Sequence, residues 1–193
     1  MKFARRREVE GDSATPTLPQ SVVLVGLMGA GKSSLGRQLA ALFNVPFVDA
    51  DTEIEAAAGC TIAEIFEVHG EAAFRDGERR VIARLLAGPT HVLATGGGAF
   101  MDLETRRRIE HSAISVWLKA DLDTLVRRTS RRSHRPLLRQ GEPRQVLARL
   151  MAEREPVYAK ADIIVEVDDR PLEETVARVV RELERHMAVS TDP

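Results

Sequence analysis

Residues 21–33 read Ser21-Val-Val-Leu-Val-Gly-Leu-Met-Gly-Ala-Gly-Lys-Ser33, and this stretch decides the fold. Its first part is an apolar run typical of a buried strand, and its last eight residues match the pattern Gly-x-x-x-x-Gly-Lys-Ser. Apolar residues at helical spacing follow from Leu35. A strand, a glycine-rich loop and a helix in this order are the context that a phosphate-binding loop requires.

The loop predicts the donor side of a phosphoryl-transfer site. Its glycines allow backbone N–H groups to surround phosphate oxygens at a helix N-terminus. Lys32 is then placed to reach the β- and γ-phosphates of a nucleotide, and the Ser33 hydroxyl to ligate Mg²⁺. The alternative is a chance glycine turn, but every fixed position of the motif is present in its proper context, which favours the phosphate loop.

Composition restricts the class of protein. With 193 residues, 44% hydrophobic and 30% charged, the chain resembles an ordinary soluble protein with one core. A net charge of −1 gives no reason to expect a nucleic-acid or membrane partner. No apolar run reaches transmembrane length, no apolar region follows the basic Arg5-Arg-Arg7, and the single Cys60 excludes an intramolecular disulfide. We therefore expect a cytoplasmic protein.

Five short apolar segments alternate with helical patterns along the chain. We expect strands at residues 21–25, 47–49, 91–94, 114–118 and 163–167, with a last helix that starts near Pro171. Such alternation is typical of a parallel sheet that is covered by helices on both faces. Thr61-Ile-Ala-Glu64 predicts a capping box at the start of one helix, which should end near Gly70 before another begins.

The ends of the chain and one internal stretch lack such patterns. We expect a flexible tail at residues 1–20, one domain at 21–187 and a C-terminal tail at 188–193. Residues 130–142 have no apolar period and predict a mobile lid. The many arginines between Arg127 and Arg154 indicate either a polyanion site or solvated helix faces in a chain of biased composition, and the sequence leaves both open.

Further candidate groups follow the predicted strands, where open α/β sheets bind ligands. Asp49 and Asp51 can hold Mg²⁺ through water or accept a hydroxyl proton, although Asp51 also fits a helix N-cap. Gly96-Gly97-Gly98 permits close approach of a ligand to the backbone, with a flexible turn as the alternative. Arg135 can stabilise the charge on a phosphoryl group in transfer.

Two other arginines have ordinary structural explanations. Arg75 precedes Glu78 by three positions, which suits an ion pair on a helix surface. Arg154 lies near the end of a predicted helix, where a basic residue is common.

Taken in order, these motifs resemble those of the shikimate kinases. The phosphate loop is followed, in that family's order and spacing, by Asp49-x-Asp51, Phe74-Arg75-x-x-Glu78, Gly96-Gly97-Gly98, Arg135-Pro-Leu-Leu and Arg154-x-Pro-x-Tyr158. The resemblance covers roughly residues 20–187. It implies Mg²⁺-dependent transfer of the ATP γ-phosphate to the 3-hydroxyl of shikimate, in chorismate and aromatic amino acid biosynthesis. It also implies a P-loop kinase fold, with a five-stranded parallel sheet in the order 2-3-1-4-5; we expect a monomer.

The resemblance further implies roles for individual residues. The implied catalytic residues are Lys32, Asp51 and Arg135, and the implied Mg²⁺ site is Ser33 together with Asp49, the latter through water. The implied ATP contacts are Gly29, Ala30, Gly31, Lys32, Ser33, Ser34, Arg128, Arg135 and Pro171. The implied shikimate contacts are Asp51, Gly97 and Gly98, with Arg75 and Arg154 as clamps on the carboxylate.

Two other functions stay open at this point. A kinase of another small polyol acid, such as gluconate, would share the loop and the sheet, but it does not account for arginine clamps at two distant points of the chain. A nucleotide-binding regulator without catalysis would need no groups on the acceptor side, such as Asp51 and Arg135.

Overall fold

The computed structural model describes residues 17–130 and 142–190. Within them, five parallel strands form one sheet in the order β2-β3-β1-β4-β5. The strands are β1 (Ser21–Val25), β2 (Phe47–Asp49), β3 (Val92–Ala94), β4 (Ala113–Ala120) and β5 (Ile163–Val167). The predicted fold class and sheet order are therefore confirmed.

Seven helices and one short 3-10 turn connect or follow these strands in the described ranges. They are α1 (Lys32–Leu42), α2 (Ala50–Ala58), α3 (Ile62–Leu86), the turn Ala99–Met101, α4 (Leu103–Ser112), α5 (Leu122–Ser130), α6 (Pro143–Tyr158) and α7 (Leu172–Ser190). The predicted capping box is present, because Thr61 and Glu64 each accept a hydrogen bond from the other's backbone N–H. The two helices expected on either side of Gly70 are present within the range of α3, and they meet at a kink at Gly70, whose φ of 77° and ψ of 175° are not helical.

The direction of the connections explains how helices come to cover the sheet. The connection from β1 to β2 crosses the sheet in one direction, and the three later connections cross it in the other. Because connections between parallel strands are right-handed, α1 lies on the face opposite to α4. The contacts agree, since α1 packs with α7 whereas α4 packs with α3.

The main core surrounds the central strand. Val22, Val23, Leu24 and Val25 of β1 are each 0% exposed. A second, smaller cluster lies between α2 and α3 and consists of Ile54, Ile65, Phe74 and Val81. The helix pair thus has an apolar contact of its own beside the main core.

The limits of the domain stay predictions. Leu18 is buried in the main core, and α7 continues to Ser190, so the described fold extends past both expected ends of the domain, residues 21 and 187. In the described ranges, no helix has the length and apolar character needed to cross a membrane.

Gly77 lies inside α3, and apart from its chain neighbours and the adjacent backbone of the helix, no described atom lies within 4 Å of the position that a Cβ would occupy there. A glycine inside a helix costs about 1 kcal/mol relative to alanine. We expect Gly77→Ala to raise the free energy of unfolding by about 0.5–1 kcal/mol, measured by urea denaturation.

Gly36 in α1 provides the matched control. A Cβ at this position would lie 2.5 Å from Cε2 of Phe47 and 3.1 Å from Cδ1 of Leu24, which belong to strands β2 and β1 of the sheet. Gly36→Ala should therefore lower the free energy of unfolding by about 1–3 kcal/mol, in spite of the better helix propensity. A loss of stability in Gly77→Ala would contradict the prediction for that position.

Candidate functional site

A cleft of about 400 Å³ lies at the edge of the sheet where the strands have their carboxyl ends. Its walls come from the loops that follow β1, β2, β3 and β5, together with α5. The predicted site residues that line it are Gly29, Ala30, Gly31, Lys32, Ser33, Ser34, Asp49, Asp51, Gly97 and Arg128. The structure thus brings the phosphate loop and the Asp-x-Asp pair into one cavity.

The phosphate loop ends in a backbone conformation that suits glycine. Gly31, which directly precedes α1, has φ 96° and ψ 14° in the left-handed region, where a residue with a Cβ is strained. The Lys32 ammonium donates to the carbonyl oxygens of Gly26 at 2.7 Å and Leu27 at 3.0 Å, so it lies over the loop. The first turn of α1 contains no acidic residue to cancel the positive potential of the helix N-terminus. This arrangement is suited to binding phosphate.

Asp49 caps α2, and the alternative that Asp51 is the N-cap is wrong. The Asp49 side chain accepts a hydrogen bond from the Asp51 backbone N–H at 3.2 Å, because the chain turns into the helix at Ala50. Asp51 is therefore a residue of the first turn of α2. Both aspartates nevertheless line the cleft.

The residues around Ser33 fit a magnesium ion. The Ser33 hydroxyl donates to Oδ2 of Asp49 at 2.9 Å, which places two oxygen ligands side by side at the phosphate loop. Mg²⁺ prefers oxygen ligands and keeps several waters. The described residues contain no cluster of three or more His, Cys, Asp or Glu side chains able to hold a metal, so an ion here would take most of its ligands from water and phosphate.

The Gly96-Gly97-Gly98 segment, which follows β3, passes between two arginines. A Cβ on Gly98 would lie 2.5 Å from Nη1 of Arg75, which belongs to α3. A Cβ on Gly97 would lie 3.2 Å from Nη1 of Arg154, which belongs to α6 and donates to the Gly97 carbonyl at 2.9 Å. Close approach of the guanidinium groups, rather than a flexible turn, accounts for the glycines. The two arginines adjoin the cleft where it ends at Gly97.

Arg75 forms the expected ion pair with Glu78, with 2.7 Å between Nη1 and Oε2, but Glu78 is not on the surface. Only 2% of Glu78 is exposed, and no described donor reaches its Oε1. Burial raises the pKa of Glu78, and the Arg75 charge opposes this only in part. Burial alone would lower the pKa of Arg75, yet attraction to Glu78 and Glu71 outweighs it and raises that pKa. The pair therefore keeps Arg75 charged.

Carboxylates also approach the glycine segment, at Gly96. A Cβ on Gly96 would lie 3.0 Å from Oδ1 of Asp51 and 3.1 Å from Oε1 of Glu78. Repulsion by Asp51 also contributes to the raised pKa of Glu78. This part of the site therefore presents arginines that can bind an anionic substrate group and an aspartate that can accept a hydroxyl proton.

The remaining predicted residues have different positions. Arg128 lines the cleft and donates from Nη2 to the Asp168 carbonyl at 2.6 Å, which joins α5 to the loop after β5. Pro171 is exposed, but its neighbour Arg170 lines the cleft. Arg135 and most of the predicted lid lie outside the described residues.

Several residues that line the cleft were not predicted as site residues. Gly96 belongs to the glycine motif but had no predicted role, and the others lie outside the motifs: Leu35, Ala94, Thr95, Thr129, Val167, Arg170, Leu172 and Thr175. Val167 is the last residue of β5, and Arg170, Leu172 and Thr175 follow it. The rule that ligands bind beyond the carboxyl ends of parallel strands would have indicated this segment. It would not have selected the individual side chains.

The family model and the curated relatives of more than 50% identity agree on one family. The family model described as shikimate kinase matches residues 28–184. A shikimate kinase of Paramagnetospirillum magneticum is 60% identical over 164 residues, which are 85% of this chain and 84% of that protein. One from Bradyrhizobium diazoefficiens is 56% identical over 178 residues, which are 92% and 86% of the two chains. The solved structure of shikimate kinase from Acinetobacter baumannii in complex with shikimate has a TM-score of 0.82 and 35% identity, and the match covers 90% of this chain and 94% of that one.

Glu78→Gln tests the electrostatics of the buried pair. Because the pKa of Glu78 in the folded protein is raised above 4.5, there is an interval of pH in which the unfolded chain has lost a proton that the folded protein still holds. Wild-type stability falls as the pH rises through that interval. We expect the stability of Glu78→Gln relative to wild type to increase over the same interval, measured by denaturant unfolding at a series of pH values.

Glu71→Gln is the matched control, because Glu71 is the other acidic partner of Arg75. The Glu71 side chain is 69% exposed. The stability of this variant relative to wild type should change little over the same range, since water already solvates that carboxylate. A Glu78→Gln variant whose relative stability does not depend on pH would contradict this account of the pair.

Proposed function

Because the chain belongs to the shikimate kinase family, it is an ATP-dependent kinase that phosphorylates the 3-hydroxyl of shikimate, and we propose that it does so in the cleft at the carboxyl edge of the sheet. The products are shikimate 3-phosphate and ADP, in the route to chorismate and the aromatic amino acids. One observation carries the location: the segment Gly96–Gly98 connects the phosphate-loop cleft to Arg75 and Arg154. Donor and acceptor groups therefore meet there.

On the donor side, we propose that Lys32 and the backbone of Gly29–Ser34 bind the ATP phosphates. The two carbonyl oxygens that now accept from the Lys32 ammonium belong to the same loop, so phosphate oxygens can replace them with little movement. Arg128 and the residues beside Pro171 contact the rest of the nucleotide, since Arg128, Arg170 and Thr175 line the same cleft.

On the acceptor side, Asp51 is proposed to hold shikimate hydroxyls. It is also proposed to accept the proton of the 3-hydroxyl while the oxygen of that hydroxyl attacks the γ-phosphorus of ATP and ADP leaves. Its place in the first turn of α2, beside the phosphate loop, supports this role. Arg75 and Arg154 clamp the shikimate carboxylate, while the backbone of Gly97 and Gly98 contacts the ring substituents. The pair with Glu78 holds the Arg75 guanidinium charged and oriented for this contact.

Mg²⁺ is the proposed cofactor, held by Ser33 directly and by Asp49 through water. When bound, the ion neutralises charge on the β- and γ-phosphate oxygens. The hydrogen bond between Ser33 and Asp49 keeps their oxygens adjacent, which supports the assignment. The roles of Arg135 and the lid, the monomeric state, the cytoplasmic location and the absence of nucleic-acid or membrane partners stay predictions from the sequence.

The reaction is tested by ADP release in a coupled assay with ATP and Mg²⁺. We expect release to depend on shikimate and to stay at the background rate with gluconate, because gluconate cannot present a ring carboxylate to the two arginines. Equal ADP release with and without shikimate, or a preference for gluconate, would contradict the function. Chelation of divalent ions should abolish the shikimate-dependent rate.

The carboxylate clamp is tested by Arg75→Ala and Arg154→Ala. A charge-assisted arginine–carboxylate contact contributes about 1.5–3 kcal/mol, so each change should weaken shikimate binding about ten- to hundredfold. Affinity for ATP should hardly change. Titration calorimetry with each substrate separates the two effects.

Arg80→Ala is the control on the same helix as Arg75. The Arg80 side chain is 76% exposed and pairs with Asp76 at 2.7 Å, away from the glycine segment. Its removal should leave the affinity for shikimate unchanged. Normal affinity in Arg75→Ala or Arg154→Ala would mean that the arginine concerned has only a structural role.

A further inference from the structure

Tyr158 ends α6 and is the only tyrosine of the chain. Only 1% of it is exposed. Its hydroxyl donates a hydrogen bond to the carbonyl oxygen of Gly97, 61 positions away in the sequence. Neither phosphate binding nor proton transfer in the proposed function uses this side chain.

The same carbonyl oxygen accepts a second hydrogen bond, from Nη1 of Arg154 at 2.9 Å. Arg154 precedes Tyr158 by four positions, so the two side chains project from one face of α6. A carbonyl oxygen has two lone pairs, and the two donors use both. Two buried side chains of a single helix therefore hold the Gly97 carbonyl in one orientation.

Fixing this carbonyl also fixes the next N–H group. The described residues contain no cis peptide bond, and in a planar trans peptide the C=O and N–H groups point in opposite directions. Because the Gly97 oxygen points to α6, the N–H of Gly98 points away from that helix. Gly98 is also the residue of this segment that Arg75 approaches.

The Tyr158 hydroxyl acts as a hydrogen-bond donor and not as an acid or base. Burial raises the pKa of Tyr158 above its ordinary value of 10.0, and the positive charges of Arg154 and Arg75 oppose this only in part. The phenol therefore stays protonated around neutral pH. A permanently protonated hydroxyl that bonds to the backbone is suited to holding that backbone in place.

We propose that Tyr158 is a positioning residue for the acceptor: together with Arg154, it fixes the Gly97–Gly98 peptide against which shikimate binds. The inference rests on the proposed shikimate contacts of Gly97 and Gly98. The proposed ligands of the ATP phosphates are Lys32 and the backbone N–H groups of the loop that follows β1. Gly97 lies beside this loop, but the Tyr158 hydroxyl bonds to the Gly97 carbonyl and not to a group proposed to bind phosphate. The hydroxyl should therefore affect binding of shikimate and not binding of ATP.

Tyr158→Phe removes the hydroxyl and keeps the ring, which packs against Trp117 with 5.8 Å between the ring centroids. Loss of one neutral hydrogen bond should raise KM for shikimate about three- to tenfold. KM for ATP and kcat should change less than about twofold, because the variant weakens contacts to the acceptor that are equally strong in the ground state and in the transition state.

Ser115→Ala provides a control for the loss of a buried hydroxyl. Ser115 on β4 is 1% exposed and donates to Oδ2 of Asp162 at 2.6 Å, a bond that does not involve the glycine segment. Both variants should have a lower Tm, but only Tyr158→Phe should have a raised KM for shikimate. A Tyr158→Phe variant with normal KM for shikimate, or with equal weakening of both substrates, would overturn the proposal.

A second measurement keeps the hydroxyl in place. Incorporation of 3-fluorotyrosine labels Tyr158 alone and gives a single ¹⁹F resonance, since the chain has one tyrosine. We expect this resonance to shift when shikimate saturates the protein and to stay unchanged with ADP and Mg²⁺. No shift with shikimate, or an equal shift with both ligands, would overturn the positioning role. Phosphorylation of shikimate by the unlabelled wild type tests the reaction itself separately.

Discussion

The central position of β1 in a parallel sheet is the constraint on which the rest of the site depends. This strand is hydrogen-bonded to β3 on one side and to β4 on the other, and Val22–Val25 are fully buried. Because the strand cannot move without disrupting the core, the phosphate loop that follows it has a fixed origin. The parallel direction of the other strands then brings Asp49 and Gly96–Gly98 to the same edge.

The charges of the cleft are divided in a way that suits two different substrates. The half of the cleft that contains the phosphate loop has a positive potential, because Lys32 and the N-terminus of α1 lie there. The other half mixes signs over a short distance, because two arginines, Asp51 and Glu78 all lie around the glycine segment. A substrate with both a carboxylate and hydroxyl groups can satisfy this second half. A simple anion cannot, because it would meet the carboxylates.

The sequence predicted the fold and most of the groups at the site because the relevant signals are local. The strand–loop–helix pattern at residues 21–33, the alternation of elements and the capping box at Thr61 each lie within a few neighbouring residues. They were sufficient for the sheet order once the family resemblance was included.

What the sequence did not predict depends on packing between distant segments. The spacing of Arg75 and Glu78 indicated an ion pair on the surface of a helix. In the structure Glu78 is buried, and burial raises its pKa. The bonds from Arg154 and Tyr158 to Gly97 join residues 57 and 61 positions apart, so no local pattern contains them. The choice of Asp49 as the N-cap depends on where the chain leaves the sheet, which composition does not fix.

The separate small core between α2 and α3 has a consequence for how such an enzyme can diverge. Asp51 and Arg75, which we propose as acceptor contacts, belong to these helices, whereas Ala30 and Leu35, on either side of Lys32, belong to the main core. Substitutions around Ile54 and Phe74 can therefore reshape the acceptor pocket while the nucleotide loop keeps its geometry. Selection can act on the two halves almost independently, so that one ancestral nucleotide-binding frame can acquire new acceptors without first losing its phosphate donor.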